Sequence, residues 1–126
     1  GCDERASAAA VSAVSVHLES RDPSVRTAVV DSLAGLANRG DKAALAVVSR
    51  CVRDGDANVR MAAVKALAVL ARKQDRRAIA AASNRAADED ADVRMCALET
   101  LKSLATRGDE RAVGAVMARL GDEVFY

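Results

Sequence analysis

Aspartate and arginine recur together in this chain, four positions apart, at a fixed interval of 34 residues (60 − 26 = 34; 94 − 60 = 34). The pairs are Asp22 and Arg26, Asp56 and Arg60, and Asp90 and Arg94. A row of arginines could bind phosphate groups, or it could have a structural role within the fold. The net charge of only +1, with acids and bases interspersed, favours the structural role and argues against a nucleic-acid or anionic-membrane surface. We therefore predict a structural ladder, and Asp22 is expected to be the N-cap of its helix.

The other residues that could do chemistry are one histidine and three cysteines. His17 has no second histidine with which to form a metal site. Cys51 and Cys96 occupy small apolar positions and are predicted to be core residues, and Cys2 has no evident base partner. The sequence therefore predicts no catalytic, cofactor-binding or metal-binding residue, and no enzyme. An odd cysteine count without CxxC favours an intracellular reducing compartment, with cytoplasm and plastid both open.

The elements that position these residues are helices in register with the same interval. Leu33, Leu67 and Leu101 keep the period, and self-similarity of this length indicates stacked helical units. We expect seven helices, with turns near residues 21, 39–40, 54–55, 74, 88–89 and 107–108. Asp3 and Asp41 are further expected N-caps, and the fifth and seventh helices are expected to begin at Asp75 and Asp109.

Details of the first two helices follow from local pattern. The first helix is expected to run to about Ser20. The second begins with Pro23 at its first position, which suits a helix start, and Gly40 is expected to cap its end in the left-handed conformation. Its buried stripe is predicted as Val25, Val29, Leu33 and Leu36.

Composition limits the core and the length of the array. Of 126 residues, 51% are hydrophobic but only 2% aromatic, so Ala, Val and Leu must form the core, and no apolar run approaches the roughly 20 residues that span a membrane. We expect a single array over residues 1–126, as a segment of a longer one, because the period places a further Val-Arg pair just beyond Tyr126. The predicted units are 3–40, 41–74, 75–108 and a partial 109–126.

The pattern Asp-x-x-x-Arg, followed by Ala-rich spacing to Leu-x-x-Leu-Ala, resembles HEAT repeats over residues 3–121, in particular the short form of phycobilisome bilin lyases. Tetratricopeptide repeats need bulky aromatic residues and a late proline, but this chain has no Trp and one Pro, and the Thr-Pro-Leu-His signature of ankyrin repeats is absent. The resemblance implies a right-handed α-solenoid of antiparallel helix pairs whose second helices line a concave surface. It also implies that each ladder aspartate caps its helix and that each ladder arginine bridges to an acidic or carbonyl group of the adjacent turn or repeat. HEAT-like hydroxylases need His-Glu pairs and HEAT-like DNA glycosylases need aromatic residues, and this chain has neither set.

One surface is a candidate for partner binding. On the second helices, certain side chains should point away from the buried stripe. They form an apolar patch with charged flanks: Met61, Lys65, Val69, Met95 and Glu99. Such a patch suits a protein partner, although neighbouring helices could instead cover it. The sequence thus predicts a non-catalytic scaffold or adaptor that binds other protein subunits; the alternative is an accessory factor in bilin or light-harvesting complex assembly.

Overall fold

The computed structural model describes residues 2–72 and 75–104, and in this part of the chain the regular secondary structure is all helical, without strands. The α-helices are α1 (Cys2–Ser15), α2 (Pro23–Leu36), α3 (Lys42–Cys51), α4 (Ala57–Leu70), α5 (Arg76–Arg85) and α6 (Ala91–Leu104). A short 3₁₀ helix, Val16–Glu19, follows α1. The antiparallel pairs α1/α2, α3/α4 and α5/α6 stack into an α-solenoid, as the sequence predicted. The predicted seventh helix lies outside the described residues.

Aspartate N-caps begin the helices at the expected places. The Asp22 carboxylate accepts the N–H of Ser24 at 2.9 Å, and Pro23 occupies the first turn of α2. Asp56 likewise accepts the N–H groups of Asn58 and Val59 at the start of α4. Each such cap satisfies backbone donors that have no partner within the helix and contributes about 1 kcal/mol. The remaining caps in the described residues are Asp41 for α3, Asp75 for α5 and Asp90 for α6.

Helices α2, α4 and α6 form a tightly packed inner row. Small side chains permit this close approach: Thr100 Oγ1 of α6 donates to the Val64 carbonyl of α4 at 3.2 Å, and Cys96 Sγ lies 3.7 Å from the Met61 carbonyl. The equivalent positions of α4 are Ala62 and Ala66, both buried. The outer helices α3 and α5, by contrast, touch each other only sparsely. A tight inner row and a loose outer row leave a groove between α3 and α5.

The predicted apolar stripe is fully buried on α4 and α6 but not on α2. Val59 and Leu70 of α4 are both inaccessible to solvent. Their α2 equivalents, Val25 and Leu36, remain 37% and 54% exposed, so the prediction is wrong for these two residues. The reason is packing, because α2 contacts an inner-row helix on only one of its sides within the described residues.

The first helix also differs from expectation. Because α1 begins at Cys2, Asp3 lies inside the helix and is not its N-cap. The α-helix ends at Ser15 rather than near Ser20, and the 3₁₀ helix continues to Glu19. The Ser15 hydroxyl donates to the Val11 carbonyl at 2.5 Å, a contact with the preceding turn that favours bending.

Gly40 has the left-handed conformation that the sequence predicts, with φ of 85°, but it does not cap α2. That helix ends four residues earlier, at Leu36. The Gly40 N–H donates to the Leu70 carbonyl, and the Arg72 side chain lies directly over the Gly40 α-carbon. Gly40 therefore joins the turn after α2 to the end of α4 in the next repeat, and a side chain has no room there.

We expect Gly40→Ala to lower the free energy of unfolding by about 1–2 kcal/mol, because L-residues are strained at positive φ and the added methyl group meets Arg72. Gly35→Ala is the matched control. Gly35 lies in the last turn of α2 with no neighbouring atom within 4 Å of the added carbon, so this variant should keep or raise the stability, by at most about 0.5–1 kcal/mol. Urea denaturation of both variants measures the difference, and equal midpoints would contradict it.

Candidate functional site

Arg60 connects two repeats through an almost completely buried network. Its Nε and Nη2 groups donate to the two carboxylate oxygens of Asp88 at 2.9 and 3.1 Å. Its Nη1 donates to the carbonyls of Asp54 and Gly55 at 2.9 and 3.1 Å. The side chains of Arg60 and Asp88 are only 7% and 2% exposed. A bidentate guanidinium–carboxylate pair of this kind is geometrically specific, so it fixes the position of one turn relative to the next.

Arg26 and Arg94 occupy the same place in their own repeats. Arg26 pairs with Asp54 at 2.9 and 3.0 Å and donates to the Ser20 carbonyl at 2.8 Å. Arg94 donates to the carbonyls of Asp88 and Glu89 at 2.7 and 3.1 Å. Each ladder arginine therefore holds the turn before its own helix. The geometry is that of a structural brace, in which the Nη1 group of every ladder arginine donates to a backbone carbonyl of the preceding turn.

The acidic partners of the ladder, Asp54 and Asp88, were missed by the sequence analysis. Each lies 28 residues after its arginine. Each also accepts a backbone N–H, from Asp56 and Asp90 respectively, at 2.9 Å. The sequence carried the signal, because aspartate recurs at this offset after Arg26 and Arg60. It was obscured because the equivalent position in the first repeat is a serine, Ser20.

Burial and hydrogen bonding act in opposite directions on these carboxylates. Burial raises the pKa of Asp88, but the hydrogen bonds from Arg60 and the Asp90 N–H, with the charges of Arg60 and Arg85, outweigh burial and hold the pKa below its ordinary value of 3.8. The pKa of Asp54 is lowered in the same way by Arg26 and the Asp56 N–H. Both side chains are therefore carboxylates near neutral pH.

The histidine and the described cysteines do not form a reactive site. His17 is exposed on the 3₁₀ helix. Cys51 and Cys96 are buried free thiols, and burial raises the pKa of each above 9.0, which disfavours the reactive thiolate. Within residues 2–72 and 75–104 there is no cluster of His, Cys, Asp and Glu suited to a metal ion. The helices in this same part of the chain are all too short or too polar to cross a membrane.

The candidate partner surface is only partly as predicted. Met95 and Val69 are 56% and 50% exposed, and Lys65 and Glu99 are exposed as well. Met61 is different, because it is partly buried and packs against the core, where Cys96 of α6 contacts its backbone. The expectation of an outward Met61 is therefore corrected: the neighbouring helix covers it. The surface that remains, here called the inner patch, consists of Val69, Met95, Lys65 and Glu99.

Stacked helix pairs, N-capped by aspartate and braced between turns by arginine, define the chain as an α-solenoid of short repeats. The family profile for HEAT repeats matches residues 11–69 and 54–125, and the chain belongs to the HEAT repeat family. No curated protein matches it. The family match gives no support to the narrower resemblance to phycobilisome bilin lyases. HEAT repeats generally mediate protein–protein interaction and are typically non-enzymatic.

We expect Arg60→Ala to lower the free energy of unfolding by about 3 kcal/mol, because it leaves the buried Asp88 carboxylate without its charge partner. Arg26→Ala is the matched control and should cost less, since Arg26 and Asp54 are 18% and 14% exposed. Chemical denaturation monitored by circular dichroism compares the two. The double variant Arg60→Ala/Asp88→Asn should recover part of the loss, and full additivity would contradict the pairing.

Acid should destabilise the fold through the same carboxylates. The folded-state pKa of Asp54 and of Asp88 lies below 3.8, so the unfolded chain takes up protons first as the pH falls. The stabilisation is complete well above pH 3.8 and is lost as the pH falls through that value towards the lower folded-state pKa. Melting curves from neutral to acidic pH should therefore fall less steeply for Asp88→Asn than for the parent chain. Parallel curves would mean that Asp88 does not contribute.

Proposed function

We propose that the chain is a non-catalytic protein–protein interaction scaffold, a segment or subunit of a larger multiprotein assembly. The observation that carries the proposal is the inner patch, in which Met95 and Val69 expose apolar surface beside Lys65 and Glu99. Exposed apolar groups flanked by charge favour a protein partner, and a flexible methionine adapts to different side chains. Membership of a typically non-enzymatic family of interaction repeats supports the same conclusion.

The layout of the inner patch suggests how a partner would lie on it. By the repeat register, Val69 is level with Ser103, eight residues after Met95 (103 − 95 = 8), which is about 12 Å along the helix. By the same register, Lys65 and Glu99 are level with each other between these two apolar points. A partner helix would thus present two apolar side chains about two turns apart, with polar groups between them.

The other parts of the proposal follow from the sequence analysis. The partners are other protein subunits, without a nucleic acid, a metal or direct membrane insertion, and the location is an intracellular reducing compartment. The free thiols of Cys51 and Cys96 are compatible with such a compartment. The alternative, an accessory role in bilin or light-harvesting complex assembly, has no structural observation in its favour. Tetrapyrrole absorbance that co-purifies with the intact complex would support that alternative.

The test is the double variant Val69→Glu/Met95→Glu. Both side chains are exposed, so the variant should melt at about the temperature of the parent chain. It should lose the partner, because carboxylates buried unpaired at an interface cost several kcal/mol. The partner is first identified by cross-linking and mass spectrometry, and binding is then measured by calorimetry with the purified partner.

Val16→Glu provides the control for this experiment. Val16 is 65% exposed, but it lies on the 3₁₀ helix and not on the inner patch. It should retain the affinity of the parent chain. Unchanged binding by the double variant, or an equal loss in Val16→Glu, would show that the partner does not use the inner patch.

A further inference from the structure

A groove on the outer side of the array, here called the outer groove, lies between α3 and α5. At one end is a cavity of about 450 Å³, lined by Leu45 of α3 and Ala78 of α5. A second cavity of about 280 Å³ continues it towards the carboxyl ends of both helices. Ser49 and Arg77 line both cavities, so the two form one continuous channel along the helices. The inner patch lies on α4 and α6, and is a different surface.

The outer groove is strongly basic. The cations that line its two cavities are Lys42, Arg53, Arg72, Arg77 and Arg85. The one carboxylate that lines them, Asp75, is the N-cap of α5 and accepts the N–H groups of Arg77 and Ala78 at 3.0 Å. Neither α3 nor α5 has an acidic residue in its sequence. Positive charge therefore lines this groove on both sides.

Most of these cations are not held in ion pairs in the way that Arg26 and Arg60 of the ladder are. Within residues 2–72 and 75–104, the ion pairs involve Arg26, Arg60 and Arg85, and none involves Lys42, Arg72 or Arg77. Arg85 donates from Nη1 to Asp88 at 3.2 Å, but its buried Nε–H has no acceptor among the described residues. The buried Nε atom is not accessible to a ligand in the groove, so Lys42, Arg72 and Arg77 are the cations that remain for an anionic ligand.

Helix packing holds the groove open and fixes some of its cations. The tight inner row leaves α3 and α5 in sparse contact, which creates the channel. The Arg72 side chain crosses Gly40, where any larger residue would displace it. The channel is thus preformed, and preorganisation of a binding site favours binding.

We propose that the outer groove binds an extended acidic segment of a protein partner, in which acidic and apolar residues alternate. Charge complementarity supplies the attraction, and the apolar floor formed by Leu45, Ala46 and Ala78 accepts the side chains between the acids. The two ten-residue helices are each about 15 Å long, which matches about four or five residues of an extended peptide.

A peptide fits these features better than a nucleic acid. Phe125 and Tyr126 are the only aromatic residues in the sequence, and neither α3 nor α5 contains one. Single-stranded nucleic acids are bound largely by base stacking on such side chains, so this groove lacks their main source of affinity. Its apolar floor would also lie against polar sugar and phosphate groups rather than against apolar side chains.

The experiment measures fluorescence anisotropy of a labelled peptide of alternating Glu and Leu with the full chain at low salt. The same peptide with Lys in place of Glu and a single-stranded DNA oligonucleotide are the comparison probes. The acidic peptide should bind, and its affinity should fall as salt is added. Arg77→Glu and, separately, Lys42→Glu should weaken it about tenfold, because charge reversal replaces an attraction with a repulsion.

Arg76→Glu is the matched control. Arg76 is the exposed neighbour of Arg77 in the first turn of α5, undergoes the same charge change and does not line the groove. It should bind the acidic peptide within about twofold of the parent chain, as should Val69→Glu/Met95→Glu on the inner patch. The proposal is overturned if the acidic peptide does not bind, or if Arg76→Glu weakens peptide binding as much as Arg77→Glu does. It is also overturned if the DNA binds more tightly than the peptide and Arg77→Glu weakens DNA binding.

Discussion

The bidentate ion pair between Arg60 and Asp88 is the interaction on which the stacking geometry depends. One guanidinium contacts the turn before its own helix and the turn of the following repeat, so both turns are fixed by a single planar group. Such a pair tolerates little rotation, and its buried position excludes competing water. Repetition of this pair at Arg26 and Asp54 gives successive helix pairs the same relative placement.

Close packing of the inner row, combined with this regular placement, produces two different surfaces, the inner patch and the outer groove. Small residues such as Ala62 and Ala66 let α2, α4 and α6 approach closely, while the outer helices α3 and α5 remain apart. Close approach on one side covers Met61 but leaves Met95 and Val69 exposed. Separation on the other side opens the outer groove. A single packing asymmetry thus shapes both the inner patch and the outer groove.

Features encoded within one helix or turn could be predicted from the sequence, and features that depend on neighbouring helices could not. The caps at Asp22 and Asp56 and the buried positions Val59 and Leu70 follow from local pattern and period. Exposure of Leu36 and coverage of Met61 depend on which helix packs alongside. A prediction from the repeat register assigns the same burial to equivalent positions of every repeat. The actual burial of a side chain depends on where its repeat lies in the stack.

Net charge was the least informative of the sequence quantities, and the structure shows the physical reason. The described acids are concentrated in caps and turns, where Asp54 and Asp88 bind arginines and Asp75 binds backbone N–H groups. These acids offset the positive charge in the net charge of the chain, but the charged residues of α3 and α5 are all basic. Because screening limits exposed charges to a range of about 10 Å, a ligand in the outer groove experiences the local imbalance and not the total of +1. A nearly neutral repeat protein can therefore present a strongly basic surface, and the positions of its acids determine where.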